Sequence, residues 1–219
     1  MVILGNEFRL GVLGGMFDPV HKGHVEAAIH ASRLLQLDKL KLVPCHVPNH
    51  RSEPFVSGLQ RQQMLEIAIA GHKVLEVDSI ELDRVGVSYM VDTLAELVAA
   101  NTSASLVLVI GMDSFNSLPK WHKFEEISQL CHLLVLSRAG EETVSTSKSE
   151  VDTYWQGKDN VNEIFANSSG NYFIERDFNF DISSTAVRDA IRNKNKLSAL
   201  LDDDVATFIS DQHLYSTNQ

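Results

Sequence analysis

Apolar positions along the chain follow two alternating rhythms. Short, dense apolar runs occur at "FRLGVLG" (8–14), "LKLVPC" (40–45), "VLEVDSIEL" (74–82), "SLVLVIG" (105–111) and "HLLVLSR" (132–138). They read as strands, and the last two look like strands covered on both faces. Between them apolar residues recur every three to four positions: Val25, Ala28, Ile29 and Leu35; then Met64, Leu65, Ala68 and Ile69; then Val91, Leu94, Ala95 and Val98. That period is helical. "KFEEISQL" supplies a further helix between the fourth and fifth runs. Repeated strand–helix alternation predicts an α/β fold with a parallel sheet flanked by helices.

The pattern weakens from residue 139 to 170, a polar stretch expected to be a mobile connection with one short helix. "YFIERD" (172–177) reads as a last short strand, and two helices finish the chain. The second has Leu201, Val205, Phe208 and Ile209 on one face, with Asp202 to Asp204 in its first turn, where the helix dipole favours negative charge. No internal repeat is present. A single domain spanning 1–219 is the simplest reading.

Composition narrows the class. Hydrophobic residues make up 44% and charged residues 22%, an ordinary globular balance. Net charge is −10, so a general electrostatic grip on nucleic acid is not expected; an anionic small ligand is still compatible with a locally positive site. The two cysteines, Cys45 and Cys131, are isolated and form neither a disulfide framework nor a metal pattern. No run approaches the ~18 apolar residues of a membrane span, and the N-terminal residues do not resemble a signal peptide. The expectation is a cytoplasmic protein with no membrane partner.

The candidate chemistry begins where the first strand meets the first helix, in "GVLGGMFDPVHKGH". Gly14 and Gly15 leave backbone N–H groups open to a ligand, and the helix start adds unsatisfied donors and partial positive charge. A tight turn alone would also explain the glycines. His21 and His24 can face one anion pocket across Gly23; a histidine donates a hydrogen bond when neutral and adds positive charge when protonated, so the pair suits a phosphorus centre gaining charge. Helix capping, solvent exposure or a weak metal site are the competing readings. Near the other end, "DISSTAVRDAIR" offers a second helix start, with Ser183, Ser184 and Arg188 suited to phosphate oxygens. Serines there also serve as ordinary caps, and Arg188 as a surface charge.

"GGMFDPVHKGH" with "ISSTAVR" resembles the H-x-G-H nucleotidyltransferase superfamily. Within it, "VPNHRSEP", "RQQMLEIAI", "SYMVDTL", "VIGMDSFNSLPKWHKFEEI", "HLLVLSRAG" and "FNFDISSTAVRDAIR" are similar, in order and spacing, to the bacterial nicotinate-nucleotide adenylyltransferases. The resemblance implies a Rossmann-like, five-stranded parallel sheet with the site at the carboxyl ends of the strands. It implies transfer of AMP from ATP to nicotinate mononucleotide, giving deamido-NAD and pyrophosphate, with Mg²⁺ carried on the triphosphate and no metal held by the protein. On that resemblance Gly14, Gly15 and Phe17 offer backbone contacts, and His21 and His24 stabilise the α-phosphate. Ser183, Ser184 and Arg188 hold the departing phosphates, while Gly111 and Asp113 meet the adenosine. Trp121 stacks on the pyridine ring, Tyr89 lines its pocket, and His50, Arg51 and Arg138 meet anionic groups.

The sequence departs from the family's pattern in places. Met16 stands where a hydroxyl residue is common, Met90 where a threonine is usual, and Cys45-His46 where amide residues follow the second strand. These changes fall mostly on the acceptor pocket. Rival readings are a transferase acting on nicotinamide mononucleotide, phosphopantetheine or a phospho-alcohol, and a non-catalytic nucleotide sensor. Oligomeric state is open.

Overall fold

The computed structural model describes residues 8–49, 53–137, 145–178 and 182–216. The first half of the chain runs β1 (Phe8–Gly15), α1 (Lys22–Leu35), β2 (Lys39–Pro44), α2 (Gly58–Ala68), β3 (Leu75–Val77), α3 (Ile80–Asp83) and α4 (Met90–Ala100). The second half runs β4 (Ala104–Gly111), α5 (Met112–Ser117), α6 (Phe124–Leu130), β5 (His132–Leu136), α7 (Ser145–Val151), β6 (Gln156–Gly157), β7 (Asn171–Glu175), α8 (Ser184–Arg192) and α9 (Asp203–Asp211). The strands form one sheet in the order β3-β2-β1-β4-β5-β7-β6, parallel throughout.

The helix-flanked parallel sheet is as expected, but its size is not. Seven strands are present among the described residues, where the resemblance implied five and the apolar runs, with "YFIERD", gave six. The sheet continues past β5 because β7 pairs with it from Leu133↔Tyr172 to Leu136↔Glu175, and β6 then pairs with β7 through Gln156↔Asn171. Two residues are too few to carry an alternating pattern, which is why β6 left no trace in the polar stretch. That stretch also contributes buried Val151, Trp155 and Ile164 to the core.

The third strand is shorter than its apolar run. Asp78 ends it: one carboxylate oxygen meets Lys41 Nζ at 2.5 Å, and the other accepts from Ile80 N at 3.0 Å. A side-chain acceptor at that position starts a helix in place of the ladder.

Two cores lie on opposite faces of the sheet. Val107 and Val109 of β4 face one, with Ala28, Leu35, Met64, Leu65, Val187 and Val205 from α1, α2, α8 and α9. Leu106, Leu108 and Ile110 of the same strand face the other, with Leu94, Leu97, Phe115 and Ile127 from α4, α5 and α6. The alternation is the two-residue period of a strand. Chain order reverses between β1 and β4, which are neighbours. In open α/β sheets a crevice forms at the carboxyl ends of the strands at such a switch point. Gly15 and Gly111 close those two strands.

Candidate active site

His21 is the N-cap of α1 and is buried, 5% exposed. Its backbone N–H donates to His24 Nδ1 at 3.3 Å. That bond leaves the donor hydrogen of a neutral His24 on Nε2. The two rings stack, centroids 3.7 Å apart and 21° between planes, with the Phe17 ring edge-on to His24 at 4.9 Å. Burial pushes His21 down to about 4. Burial, then the neighbouring His21, lowers His24 well below the ordinary imidazole value. Both rings are therefore neutral donors at pH 7.

The turn between β1 and α1 is held from several directions. Phe17 adopts φ 49°, a left-handed conformation that costs a non-glycine residue about 1–2 kcal/mol. Its ring lies under Gly15, where a Cβ would come within 3.1 Å of it. A Cβ on Gly14 would meet the Met90 methyl at 2.5 Å. The glycine pair thus admits two neighbouring side chains as well as leaving backbone open.

From the far end of the sequence, α8 packs its start against the same turn. Ser184 Oγ donates to Pro19 O at 2.9 Å, and Arg188 Nη1 to Asp18 O at 2.6 Å. Ser183 is the N-cap, its hydroxyl accepting from Ala186 N at 3.2 Å. Ile182 lies 3.6 Å from where a Cβ on Gly23 would stand. Residues 21–24 and 183–188 are therefore adjacent in space. The guanidinium of Arg188 also donates Nη2 to Thr185 Oγ1 at 3.1 Å and rests over the Phe55 ring at 4.5 Å. Neither α1 nor α8 carries an acidic residue in its first turn, whereas α4, α5, α6 and α9 all do. The positive ends of these two dipoles flank one turn, and neither helix start carries a carboxylate of its own.

Gly111 and Asp113 sit where β4 passes into α5, and a Cβ on Gly111 would come within 2.8 Å of Asp113 Oδ1. Beyond β2, Val47 and Val87 form a bridge, and His46 N donates to Ser88 Oγ at 3.1 Å. Tyr89 packs its ring on His122, centroids 4.2 Å apart, and Trp121 lies half-buried against the second core. His50, Arg51 and Arg138 lie outside the described residues.

Several site-forming residues were not singled out from the sequence. Arg61 is 1% exposed and donates Nη1 to Met16 O at 2.8 Å. A signal existed: it falls on the stripe of Met64, Leu65 and Ala68, where a charge is out of place. Asp18, 4% exposed, accepts from Phe55 N and from the Tyr215 hydroxyl, each at 2.8 Å. Nothing local in the sequence announces that Tyr215 reaches back nearly the whole chain.

Comparison with known proteins places the fold that carries these features in a family. Residues 12–190 match the family described as cytidylyltransferase-like. The "Probable nicotinate-nucleotide adenylyltransferase" of Marinomonas sp. (strain MWYL1) is 38% identical over 209 residues, covering 94% of both chains. The protein of the same name from Cellvibrio japonicus (strain Ueda107) is 36% identical over 207 residues, covering 94% of this chain and 98% of its own. The chain belongs to the cytidylyltransferase-like family, in its nicotinate-nucleotide adenylyltransferase branch. Among solved structures, Plasmodium falciparum nicotinic acid mononucleotide adenylyltransferase complexed with NaAD shares the fold, with a TM-score of 0.76 at 15% identity over 96% of this chain and 98% of its own.

Proposed function

We propose that the protein transfers the AMP moiety of ATP to nicotinate mononucleotide, releasing pyrophosphate and forming deamido-NAD. The observation that carries the reading is the junction of two helix N-termini on one turn, with a stacked pair of neutral histidines and Arg188 around it. The acceptor's phosphate oxygen forms the new bond to the α-phosphorus as the bond to the bridging oxygen of pyrophosphate breaks. That oxygen keeps the electron pair. The attacking group is already anionic, so no protein nucleophile is required, and catalysis is positioning plus charge stabilisation.

In this reading His24 Nε2–H and His21 donate to the α-phosphate as it gains charge. The amides at the starts of α1 and α8, with Arg188, hold the departing phosphates. The hydroxyl protons divide differently: Ser184 directs its own to Pro19 O, so its contribution is its backbone N–H, whereas Ser183 retains a hydroxyl proton to donate. Gly14, Gly15 and Phe17 supply backbone, Gly111 and Asp113 face the adenosine, and Tyr89 and Trp121 enclose the pyridine ring. His50, Arg51 and Arg138, outside the described residues, are proposed to meet the acceptor's anionic groups.

Mg²⁺ would be carried on ATP by phosphate oxygens and water and would supply charge neutralisation for the leaving pyrophosphate. The donor set fits this arrangement: the carboxylate in the turn, Asp18, already directs both oxygens to Phe55 N and Tyr215. No group of three or more His, Cys, Asp or Glu suited to a metal occurs among the described residues. No helix among them is long and apolar enough to cross a membrane. We place the enzyme in the cytoplasm.

The test is a panel of acceptors with MgATP, scored by pyrophosphate release. Nicotinate mononucleotide is expected to give the highest kcat/KM, above nicotinamide mononucleotide, phosphopantetheine and phospho-alcohols. Higher kcat/KM on another acceptor would move the reading to that substrate. ATP binding without turnover on any acceptor would make the protein a sensor.

A further inference from the structure

The turn that carries His21 makes almost no hydrogen bonds of its own. Its polar groups are taken up by side chains and backbone from four other places. Met16 O accepts from Arg61 of α2, and Pro19 O and Asp18 O accept from Ser184 and Arg188 of α8. The Asp18 carboxylate accepts from Phe55 N of the 53–57 segment through Oδ2, and from Tyr215, beyond α9, through Oδ1. Asp18 is thus the one residue of the turn that meets three of these elements, and it stands three residues before His21.

Phe55 extends the connection. Its N–H is held by Asp18, while its ring lies under the guanidinium groups of Arg188 at 4.5 Å and Arg192 at 5.6 Å. The carboxylate therefore fixes the platform on which Arg188 rests, and its own carbonyl fixes the guanidinium directly. The left-handed Phe17 immediately precedes Asp18. Such a conformation persists where the surroundings over-determine it. Tyr215 is 7% exposed and itself left-handed at φ 61°, so its hydroxyl is presented to Asp18 by a shaped chain end and not by a loose tail.

We infer that Tyr215 is a positioning residue for adenylyl transfer: through Asp18 it holds the 16–19 turn, and with it His21 and Arg188, in register with one another. Removing the hydroxyl leaves a buried carboxylate oxygen without its partner, and the turn relaxes to find another. Small displacements of transition-state donors have large kinetic consequences: a 1 Å misplacement costs about a hundredfold. A positioning role therefore shows in turnover, and a purely structural anchor shows only in melting. The inference rests on the adenylyl-transfer reading above, so its test includes a measurement that needs no turnover.

The variant is Tyr215→Phe in the full chain, with Tyr154→Phe, a half-exposed tyrosine remote from the turn's hydrogen bonds, as control. With MgATP and nicotinate mononucleotide, Tyr215→Phe is expected to lower kcat about tenfold to a hundredfold. KM for ATP should change less than about threefold, because the helix N-termini still bind the phosphates. Asp18→Asn should lower kcat to a similar degree, and the double variant should lose little more than either single one, because both act through one connection. Independently, the imidazole nitrogen and ring-proton resonances of His21 and His24 should shift in Tyr215→Phe and stay in place in Tyr154→Phe.

A lower melting temperature with unchanged kcat and unchanged imidazole signals would overturn the inference, as would additive losses in the double variant. If the unaltered protein turns over no acceptor, adenylyl transfer fails. The imidazole signals then decide whether Tyr215 positions the histidines at all.

Discussion

On the side we propose for the triphosphate, the 16–19 turn is gripped by α2, the 53–57 segment, α8 and the chain beyond α9, with bonds of 2.6 to 2.9 Å. On the side we propose for the acceptor the contacts tie one neighbouring stretch to another: Val47 bridges Val87, Ser88 N donates to Val47 O at 2.9 Å, His46 N donates to Ser88 Oγ at 3.1 Å, His46 Nδ1 lies 3.0 Å from Arg84 O, and the Tyr89 and His122 rings are laid on one another. The contrast follows the chemistry. A donor that stabilises developing charge must already stand in place, since reorganising it during the reaction would cost what it contributes. A flat heteroaromatic ring asks only for a surface to stack on, and stacking tolerates small shifts. The first side should therefore govern kcat and the second KM.

His24→Ala is the strongest way to break that division. Losing one preorganised donor costs about 10²–10³ in turnover, and KM for either substrate is expected to move only modestly. Steady-state pyrophosphate release at saturating ATP and acceptor checks it. Near-normal kcat would remove His24 from the reacting phosphate and leave the stacked histidines as a helix start. Trp121→Ala is the counterpart across the crevice. Aromatic stacking on a base contributes about 1–3 kcal/mol, so KM for nicotinate mononucleotide should rise roughly tenfold or more, while KM for ATP and kcat stay close to the parent values. A kcat loss comparable to that of His24→Ala would erase the distinction between the two sides.

How much of this was legible follows the range of each interaction. The first strand, the α1 and α4 stripes and the doubly covered β4 and β5 are local patterns, and each appears within a few residues of its expected bounds. The histidine pair and the serine–arginine set are local too, and the start of α8 packs against the turn before the histidines through Ser184–Pro19 and Arg188–Asp18. What escaped was of two kinds. β6 extends the sheet through backbone pairing with β7, which no side-chain rhythm reports over two residues. The clasp on Asp18 joins residues 55, 188 and 215, and such contacts leave no spacing to read. Arg61 lies between these cases: its place on an apolar stripe is a visible anomaly whose partner, Met16 O, is not. The acceptor side was legible mainly by resemblance, which is why its altered residues, Met90 and Cys45-His46, leave more of it to experiment.

The two sides touch where a Cβ on Gly14 would lie 2.5 Å from the Met90 methyl, and the smallest predicted effect tests that junction. The obstructing atom is the end of a flexible side chain, so Gly14→Ala belongs at the low end of overpacking costs, about 1 kcal/mol. Its kcat/KM should fall a few-fold as Met90, the first residue of α4, is displaced. Met90→Ala opens space on the same side. The double variant Gly14→Ala/Met90→Ala is expected to recover most of the lost stability and activity, with a favourable coupling in denaturant melts and kinetics alike. Recovery of stability without recovery of activity would mean that the bare backbone at Gly14 serves the bound nucleotide directly. The glycine would then belong to the triphosphate side alone, and not to the packing that joins it to the acceptor side.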